Sequence, residues 1–303
     1  MERVIVKGNT SYLKGRQLIP FYQIDEQRCI LIDPGYEPER EPIADALARE
    51  GLTPVGILLT HMHYDHHVNT GYFKAKYGIP AAMPRGEAEI CRNRRSLKNH
   101  LFCFTPGLIN SYPRLQDLVC PIEHPIESEE TEFHFAGVDF GIVHTPGHSP
   151  DHICIVTPDD VAILGDAVMC GSDLEQSDVP FVFGLQEDLD TKERLRSLDC
   201  ARYIVAHCGV LERGELPPVI DANLVRIEKQ LARMKSFVTQ PTTLCGCYEL
   251  TMEAMGQADG HPVRNQHLER YLRPYLEYLA DSGQLKWVSG RGAPTLAPVE
   301  WPE

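Results

Sequence analysis

The sequence lacks any run of about 18 consecutive apolar residues, the minimum for a helix that crosses a membrane. Its first ten residues, MERVIVKGNT, carry acidic and basic side chains where a signal peptide would need an apolar stretch. We therefore expect a cytoplasmic protein that contacts no membrane.

Positive charge is scarce. The 303 residues hold 29 Lys and Arg against 43 Asp and Glu, a formal net charge of -14. Because an acidic surface repels phosphate backbones, nucleic acid is not an expected partner. Residues 210–303, with ten basic and twelve acidic side chains, are nearly neutral and show no basic surplus either.

The sequence also lacks the cysteine framework of a small secreted protein, because its ten cysteines are scattered. We expect no disulfide framework and interpret most cysteines as small buried apolar side chains. Cys245 and Cys247 are spaced to share a metal, but no second Cys or His pair lies near them in the sequence.

The length suits one large or two ordinary domains. Residues 3–33 show short apolar and β-branched runs separated by turns, which predicts a strand meander. Helical and strand patterns then alternate, which favours an α/β fold with helices outside the sheets. The predicted helices are 41–50 and 69–77, and the predicted strands are 55–60, 79–83, 138–144, 152–157, 161–165 and 203–206.

Residues 85–123 interrupt this alternation and are interpreted as an insertion. A basic cluster comes first and an apolar stretch follows: Arg92, Arg94, Arg95, Lys98 and His100, then Leu101, Phe102, Phe104, Leu108, Ile109 and Tyr112. One interpretation is a solvated helix face followed by a strip of core. The other is a lid in which the apolar stretch, including Tyr112, covers an acyl chain while Arg94 and Arg95 bind an anionic small-molecule substrate.

The remaining chain has a different pattern. Helices are predicted at 217–237, 248–255 and 264–281, followed by a hairpin that turns at Gly290 and Gly292. Three helices and a hairpin resemble a winged-helix module, so we predict two domains, 1–210 and 211–303. The apolar residues at helical spacing in the third helix predict a core face or a homodimer interface: Leu272, Tyr275, Leu276 and Leu279.

The segment GILLTHMHYDHHVN presents potential metal ligands where a buried strand ends. His61 and His63 lie two residues apart, so an extended chain places both imidazoles on one side. Asp65 and His66 follow after a turn and can face a second point. Further potential ligands lie where later predicted strands end: His148 in HTPGHSPDH, Asp166 in AILGDAV and His207 in IVAHCG. The fold must bring these remote residues together to complete a rigid site.

These seven residues, in this order, closely resemble the pattern of the metallo-β-lactamase superfamily over about residues 1–210. The resemblance implies an αββα sandwich with two divalent metal ions between the sheets, most simply Zn²⁺, although Fe or Mn suits the same ligands. It implies one metal on His61, His63 and His148, the other on Asp65, His66 and His207, and Asp166 bridging, with Asp65 and Asp166 serving in catalysis. It also implies that Asp33 orients a ligand histidine.

Within this superfamily the full ligand set resembles hydroxyacylglutathione hydrolase (glyoxalase II) and related enzymes. The implied activity is hydrolysis of a small thioester or ester by a hydroxide held between two metals. Asp151 departs from the glycine that many such hydrolases carry, and no segment matches the glutathione-binding residues. The alternatives are an endoribonuclease or phosphodiesterase, a mononuclear iron persulfide dioxygenase, and a binding protein that retains the metal site. His67 and His152 are interpreted as residues that either contact the metal ligands or only pack in the core. His144 is interpreted as structural.

Overall fold

The computed structural model describes residues 1–101, 113–177, 179–256, 262–290 and 292–302. Within these ranges the chain forms two large sheets, a small third sheet and helices that cover them. No described helix is both long and apolar enough to cross a membrane.

The first sheet contains seven strands in chain order. Its first four strands pair antiparallel as a meander, and the later strands pair parallel, which requires helical connections between them. The strands are β1 (Arg3–Lys7), β2 (Thr10–Lys14), β3 (Leu18–Gln23), β4 (Arg28–Ile32), β5 (Thr53–Leu58), β6 (Ala81–Pro84) and β7 (His124–Ile126).

The second sheet has six strands in the order β13-β12-β11-β10-β9-β8. All neighbours pair antiparallel except β11 and β12, which are parallel. The strands are β8 (Glu132–Phe135), β9 (Val138–His144), β10 (Ile153–Thr157), β11 (Val161–Ile163), β12 (Arg202–Val205) and β13 (Gly209–Glu212).

The described helices are α1 (Arg40–Arg49), α2 (Tyr64–His67), α3 (Thr70–Tyr77), α4 (Arg85–Cys91), α5 (Arg94–His100), α6 (Pro113–Asp117), α7 (Gly171–Gln176), α8 (Leu185–Leu195), α9 (Leu216–Phe237), α10 (Leu244–Ala254) and α11 (Pro262–Asp281). Helix α1 is amphipathic and buries Ile43, Ala44, Ala46 and Leu47. Residues 85–123 thus contain helices α4, α5 and α6, which the sequence pattern did not predict individually.

The main core lies between the two large sheets. Strand side chains alternate between faces, so Ile30 and Ile32 of β4 point toward Ile142 and Ile155 of the second sheet. Leu31 points the other way, into the layer formed with helices α1 and α3. Helices α8 and α9 cover the outer face of the second sheet. The predicted αββα sandwich is confirmed.

The C-terminal part contains helices α9, α10 and α11 and a three-stranded antiparallel sheet. Its strands, β14 (Thr242–Thr243), β15 (Leu285–Val288) and β16 (Thr295–Pro298), are ordered β14-β16-β15. The predicted apolar face of α11 is fully buried within the chain against Ile227 and Leu231. The winged-helix resemblance and the boundary at residue 210 remain predictions.

Most cysteines that the structure describes are unpaired, but one pair forms a bond that the sequence did not indicate. Cys170 and Cys208 form a disulfide, with their Cα atoms 5.8 Å apart. Cys170 follows β11 and Cys208 follows β12, and the ends of these parallel neighbours meet at one edge of the sheet. Because this proximity arises from the fold, cysteine spacing could not reveal it. The free cysteines of the described residues are buried, apart from Cys245.

Candidate metal centre

The potential ligands lie in loops at one edge of both sheets. His61 and His63 follow β5, and α2 begins at Tyr64, which turns Asp65 and His66 away from the extended chain. His148 follows β9, Asp166 follows β11, and His207 follows β12. The fold therefore gathers residues that are as far apart in sequence as positions 61 and 207.

The seven side chains form two adjacent groups. The first is His61, His63 and His148, and the second is Asp65, His66, Asp166 and His207. In each group, one potential ligand atom per residue lies within 4.8 Å of the others. Three or four nitrogen and oxygen ligands at this spacing suit one metal ion per group.

Asp166 lies between the two groups. Its Oδ2 is 3.3 Å from His148 Nε2, in the first group. Its Oδ1 is 3.4 Å from the Nε2 atoms of both His66 and His207, in the second group. The two oxygens of one carboxylate thus face different groups, which is the arrangement that a bridging ligand needs.

Asp33 supports the second group from behind. Its Oδ2 lies 2.9 Å from His66 Nδ1, and its carboxylate also accepts hydrogen bonds from the backbone N–H and the hydroxyl of Thr60, at 2.8 and 2.7 Å. Asp33 is only 2% exposed. The contact directs His66 Nε2 toward Asp166, and a second contact of this kind is typical of metal-binding histidines.

Burial and neighbouring charges shift the pKa values of the potential ligands differently in the two groups. Burial lowers the pKa values of His61, His63 and His148, so these imidazoles are neutral and keep a lone pair for a metal. In the second group, burial tends to raise the pKa of Asp65, but His66 and His207 outweigh it and lower the pKa to about 2. The pKa of Asp166 is lowered in the same way. Both carboxylates are therefore ionised.

The residues fit a pair of divalent metal ions. His61 Nε2 is buried and has no hydrogen-bond partner among the described residues. A buried nitrogen without a partner is costly unless it binds something. Imidazole nitrogens and ionised carboxylates are ligands that Zn²⁺, Fe and Mn accept. The fold and this cluster of His and Asp side chains therefore define a centre for divalent metal ions.

Sequence reasoning missed Glu87, which ties the two ligand loops together. The side chain is completely buried, Oε1 accepts hydrogen bonds from Ser149 Oγ at 2.6 Å and Asp151 N at 3.0 Å, and Oε2 accepts from Met62 N at 3.2 Å. Met62 lies between two potential ligands and Ser149 follows another. The signal available was one of the two Glu residues in GEAEI, which does not reveal these partners.

The structure also explains Asp151, which departs from the expected glycine. Its Oδ2 accepts a hydrogen bond from Gly86 N, the second residue of α4, at 2.8 Å. A carboxylate is favourable at a helix N-terminus, where backbone N–H groups have no partner within the helix. Asp151 and Glu87 thus attach the insertion to the His148 loop.

The backbone in two ligand loops requires glycine. Gly147, next to His148, has φ +133°, and an added Cβ would lie 2.3 Å from Asp188 Cα in α8. Gly165, next to Asp166, has φ +50°, and an added Cβ would lie 2.6 Å from His152 Nε2. Only glycine permits these positive φ values together with such close packing.

Three further histidines that the structure describes, His152, His67 and His144, lie outside the two groups. His152 Nε2 accepts a hydrogen bond from the Asp166 backbone N–H at 3.2 Å, and its Nδ1 lies 2.8 Å from Thr145 Oγ1. His67 is buried between Thr70 Oγ1 and the Leu118 carbonyl oxygen. His144 Nε2 lies 2.9 Å from the Glu130 carbonyl oxygen.

Two candidate substrate residues of the insertion, Arg94 and Arg95, are not among the described residues that line the cavity over the metal centre. Arg94 and Arg95 are exposed, and the Arg94 guanidinium donates to Gln116 Oε1 at 3.1 Å. The described lining of the central cavity includes His100, Leu101, Leu115 and Leu118 from the same insertion. Tyr112 lies outside the described residues. A role for Arg94 and Arg95 in binding an anionic substrate remains a prediction.

A two-sheet sandwich with clustered His and Asp ligands at one edge defines a class of metal-dependent hydrolases. The sequence profile of the metallo-β-lactamase superfamily matches residues 21–207. The chain belongs to this superfamily.

Individual relatives are distant. The probable metallo-hydrolase YqgX of Bacillus subtilis is 29% identical over 181 residues, which cover 59% of this chain and 78% of that one. An atrochrysone carboxyl ACP thioesterase of Passalora fulva is 25% identical over 268 residues, 86% of this chain and 69% of that one. A hydroxyacylglutathione hydrolase of Rhizobium meliloti is 28% identical over only 123 residues, 41% of this chain and 37% of that one.

Among solved structures, a metallo-β-lactamase family protein of Thermus thermophilus superimposes with a TM-score of 0.71 at 18% identity. The match covers 93% of each chain. It therefore extends through the sandwich and the C-terminal part, and at this identity it shows a shared fold alone.

Proposed function

We propose that this protein hydrolyses a small thioester or ester at a centre of two divalent metal ions. The single observation that carries the proposal is the position of Asp166, whose two oxygens face the two ligand groups. The thioesterase named among the relatives supports the choice of bond, because its match spans most of this chain. The partial match to hydroxyacylglutathione hydrolase gives no reason to name glutathione as the carrier.

We assign the first metal to His61, His63 and His148. The second is assigned to Asp65, His66 and His207, with Asp166 shared. When bound, such a pair of ions makes water more acidic and polarises a carbonyl group, which are the two requirements of ester hydrolysis. Zn²⁺ is the simplest occupant of this ligand set.

Several residues of the chain orient the potential ligands and the water that enters the cavity. Asp33 and Thr60 fix the orientation of His66, and His152 holds the backbone of Asp166. Asp65 lines the cavity above the centre, and its Oδ2 accepts a hydrogen bond from Tyr36 Oη at 3.4 Å. As an ionised carboxylate, Asp65 can accept a hydrogen bond from water that enters the cavity and so orient that water.

A substrate panel tests the proposal. The purified protein is assayed on an acyl thioester, a lactone, a phosphodiester, single-stranded RNA and a persulfide, before and after treatment with a chelator. We expect metal-dependent hydrolysis of the thioester or ester, with Asp166→Ala inactive and the exposed-carboxylate control Asp139→Ala unaffected. Cleavage of RNA alone, or oxygen consumption with the persulfide alone, would replace the proposed function with that of a nuclease or a dioxygenase.

A further inference from the structure

A cavity of about 640 Å³ opens over the metal centre. Its size is typical of sites for small molecules. The metal-centre residues His63, Asp65, His148, Asp166 and His207 line its floor. The walls are largely apolar and include Leu115, Leu118, Met169, Val179, Phe181 and Tyr271.

Aromatic rings lie directly beside the candidate ligands. The Phe181 ring is 5.2 Å from the His63 ring and 5.6 Å from the His148 ring, measured between centroids. Tyr271 packs edge-on against Phe181 at 4.7 Å. On the side of Asp65, the rings of Tyr36 and Tyr64 lie 6.4 Å apart. A group bound over the centre therefore meets aromatic surface.

The aromatic wall depends on the C-terminal part of the chain. Tyr271 belongs to α11, and one turn later the Tyr275 hydroxyl donates a hydrogen bond to the Pro180 carbonyl oxygen at 2.8 Å. Tyr275 is fully buried. This contact holds the segment that carries Phe181 against the ligands, so α11 shapes the cavity as well as packing on it.

The described walls carry two positive and two negative side chains and so give no net attraction for an anionic acyl group: Lys192, Arg270, Asp173 and Asp188. Lys192 Nζ lies 2.6 Å from both carboxylate oxygens of the buried Asp188, so the two charges compensate each other. The Arg270 guanidinium lies over the Phe181 ring at 5.9 Å and contacts His100 Nε2 at 3.5 Å. Asp173 adds a further negative charge to the lining.

We propose that this cavity is an acyl-binding subsite and that the substrate carries an uncharged apolar acyl group of several carbons or an aromatic ring. The inference rests on the proposed thioester or ester hydrolysis at the same centre. Tyr271 and Phe181 contact this acyl group. The enzyme therefore hydrolyses substrates with a larger apolar acyl group in preference to those with acetyl. The C-terminal part thus determines specificity.

The test is a series of thioesters of one small thiol, N-acetylcysteamine, with acetyl, hexanoyl, benzoyl and succinyl groups. Each buried CH₂ favours binding about fourfold, so kcat/KM rises at least about tenfold from acetyl to hexanoyl or benzoyl. Succinyl, which carries a charge, is hydrolysed no faster than acetyl.

Variants separate the subsite from the chemistry. Tyr271→Ala reduces the ratio of hexanoyl or benzoyl to acetyl kcat/KM by at least about fivefold, whereas Tyr271→Phe retains the ratio because it keeps the ring. The matched control is Tyr278→Ala on the same helix, because Tyr278 packs on the C-terminal core and is not among the lining residues that the structure describes. This control retains the ratio, and thermal unfolding verifies that each variant is folded.

The possible failures are distinguishable. Hydrolysis of every thioester at similar rates, with a ratio that Tyr271→Ala does not alter, would overturn the subsite and leave the hydrolase intact. Preference for succinyl would likewise overturn it and favour an anionic substrate. Hydrolysis of none of these thioesters or of the corresponding esters would overturn the proposed function itself.

Discussion

Glu87 accepts a hydrogen bond from Ser149 Oγ at 2.6 Å, which connects helix α4 of the insertion to the loop that presents His148. The same carboxylate accepts from the backbone between His61 and His63. One buried side chain therefore fixes the position of the two loops of the first ligand group relative to each other.

We predict that Glu87→Gln weakens metal binding. An amide cannot accept at both of its terminal atoms, so at least one loop loses its hydrogen bond. Loss of a supporting contact typically costs metal affinity about tenfold or more. The measurement is a competition titration with a chromophoric chelator above pH 7, where the Glu87 carboxylate is ionised. Glu89→Gln, an exposed carboxylate on the same helix, is the control, and equal affinities of the two variants would show that Glu87 does not position the ligands.

Glu87 also predicts a pH dependence of stability. Burial raises its pKa to about 7 from 4.5, although hydrogen bonds from Ser149, Asp151 and Met62 lower it. Because the folded state binds the proton more tightly, this contribution to stability is complete below pH 4.5 and is lost as pH rises through 7. The loss amounts to about 3 kcal/mol by pH 7.

Denaturant unfolding of metal-depleted wild type and Glu87→Gln between pH 4.5 and 7.5 measures this effect, because the contributions of the other carboxylates cancel in the difference. The wild type should lose stability relative to the variant as pH rises. A difference that is constant with pH would contradict the prediction.

Gly165→Ala tests the close packing beside Asp166. The added methyl group would meet His152 Nε2 at 2.6 Å and Thr60 Oγ1 at 2.8 Å, on a backbone at φ +50°. We expect a loss of about 2–4 kcal/mol, from backbone strain together with overpacking. Gly51→Ala is the control, since Gly51 also has positive φ but no atom lies within 4 Å of an added Cβ. Equal losses in chemical denaturation would show that the packing contributes nothing.

His207→Ala tests the second ligand group. His207 Nε2 is 3.0 Å from Asp65 Oδ2 and 3.4 Å from Asp166 Oδ1, so its removal opens one side of that group. Elemental analysis should show that the variant retains about one metal ion per chain, and thioester hydrolysis should fall by at least about a hundredfold. One equivalent of iron in the wild type, with activity unchanged by His207→Ala, would instead indicate the mononuclear dioxygenase.

Local patterns predicted the α/β order of the elements and placed the potential ligands at strand ends. The αββα sandwich and the division of the ligands between two metals were implied by the family resemblance. The partners of Glu87 and Asp151, the Cys170–Cys208 disulfide and the Phe181–Tyr271 contact could not be predicted, since each joins segments whose proximity is set by tertiary packing. Helix α8 was also missed, because its polar composition hides the few buried positions that pack beneath the His148 loop.

A titration of metal-free protein with Zn²⁺, with thioester hydrolysis followed, measures how many metal ions the centre needs. We expect a rate that rises to a plateau at two equivalents per chain, because Asp166 faces both ligand groups. A plateau at one equivalent, or hydrolysis that does not depend on metal, would contradict this expectation.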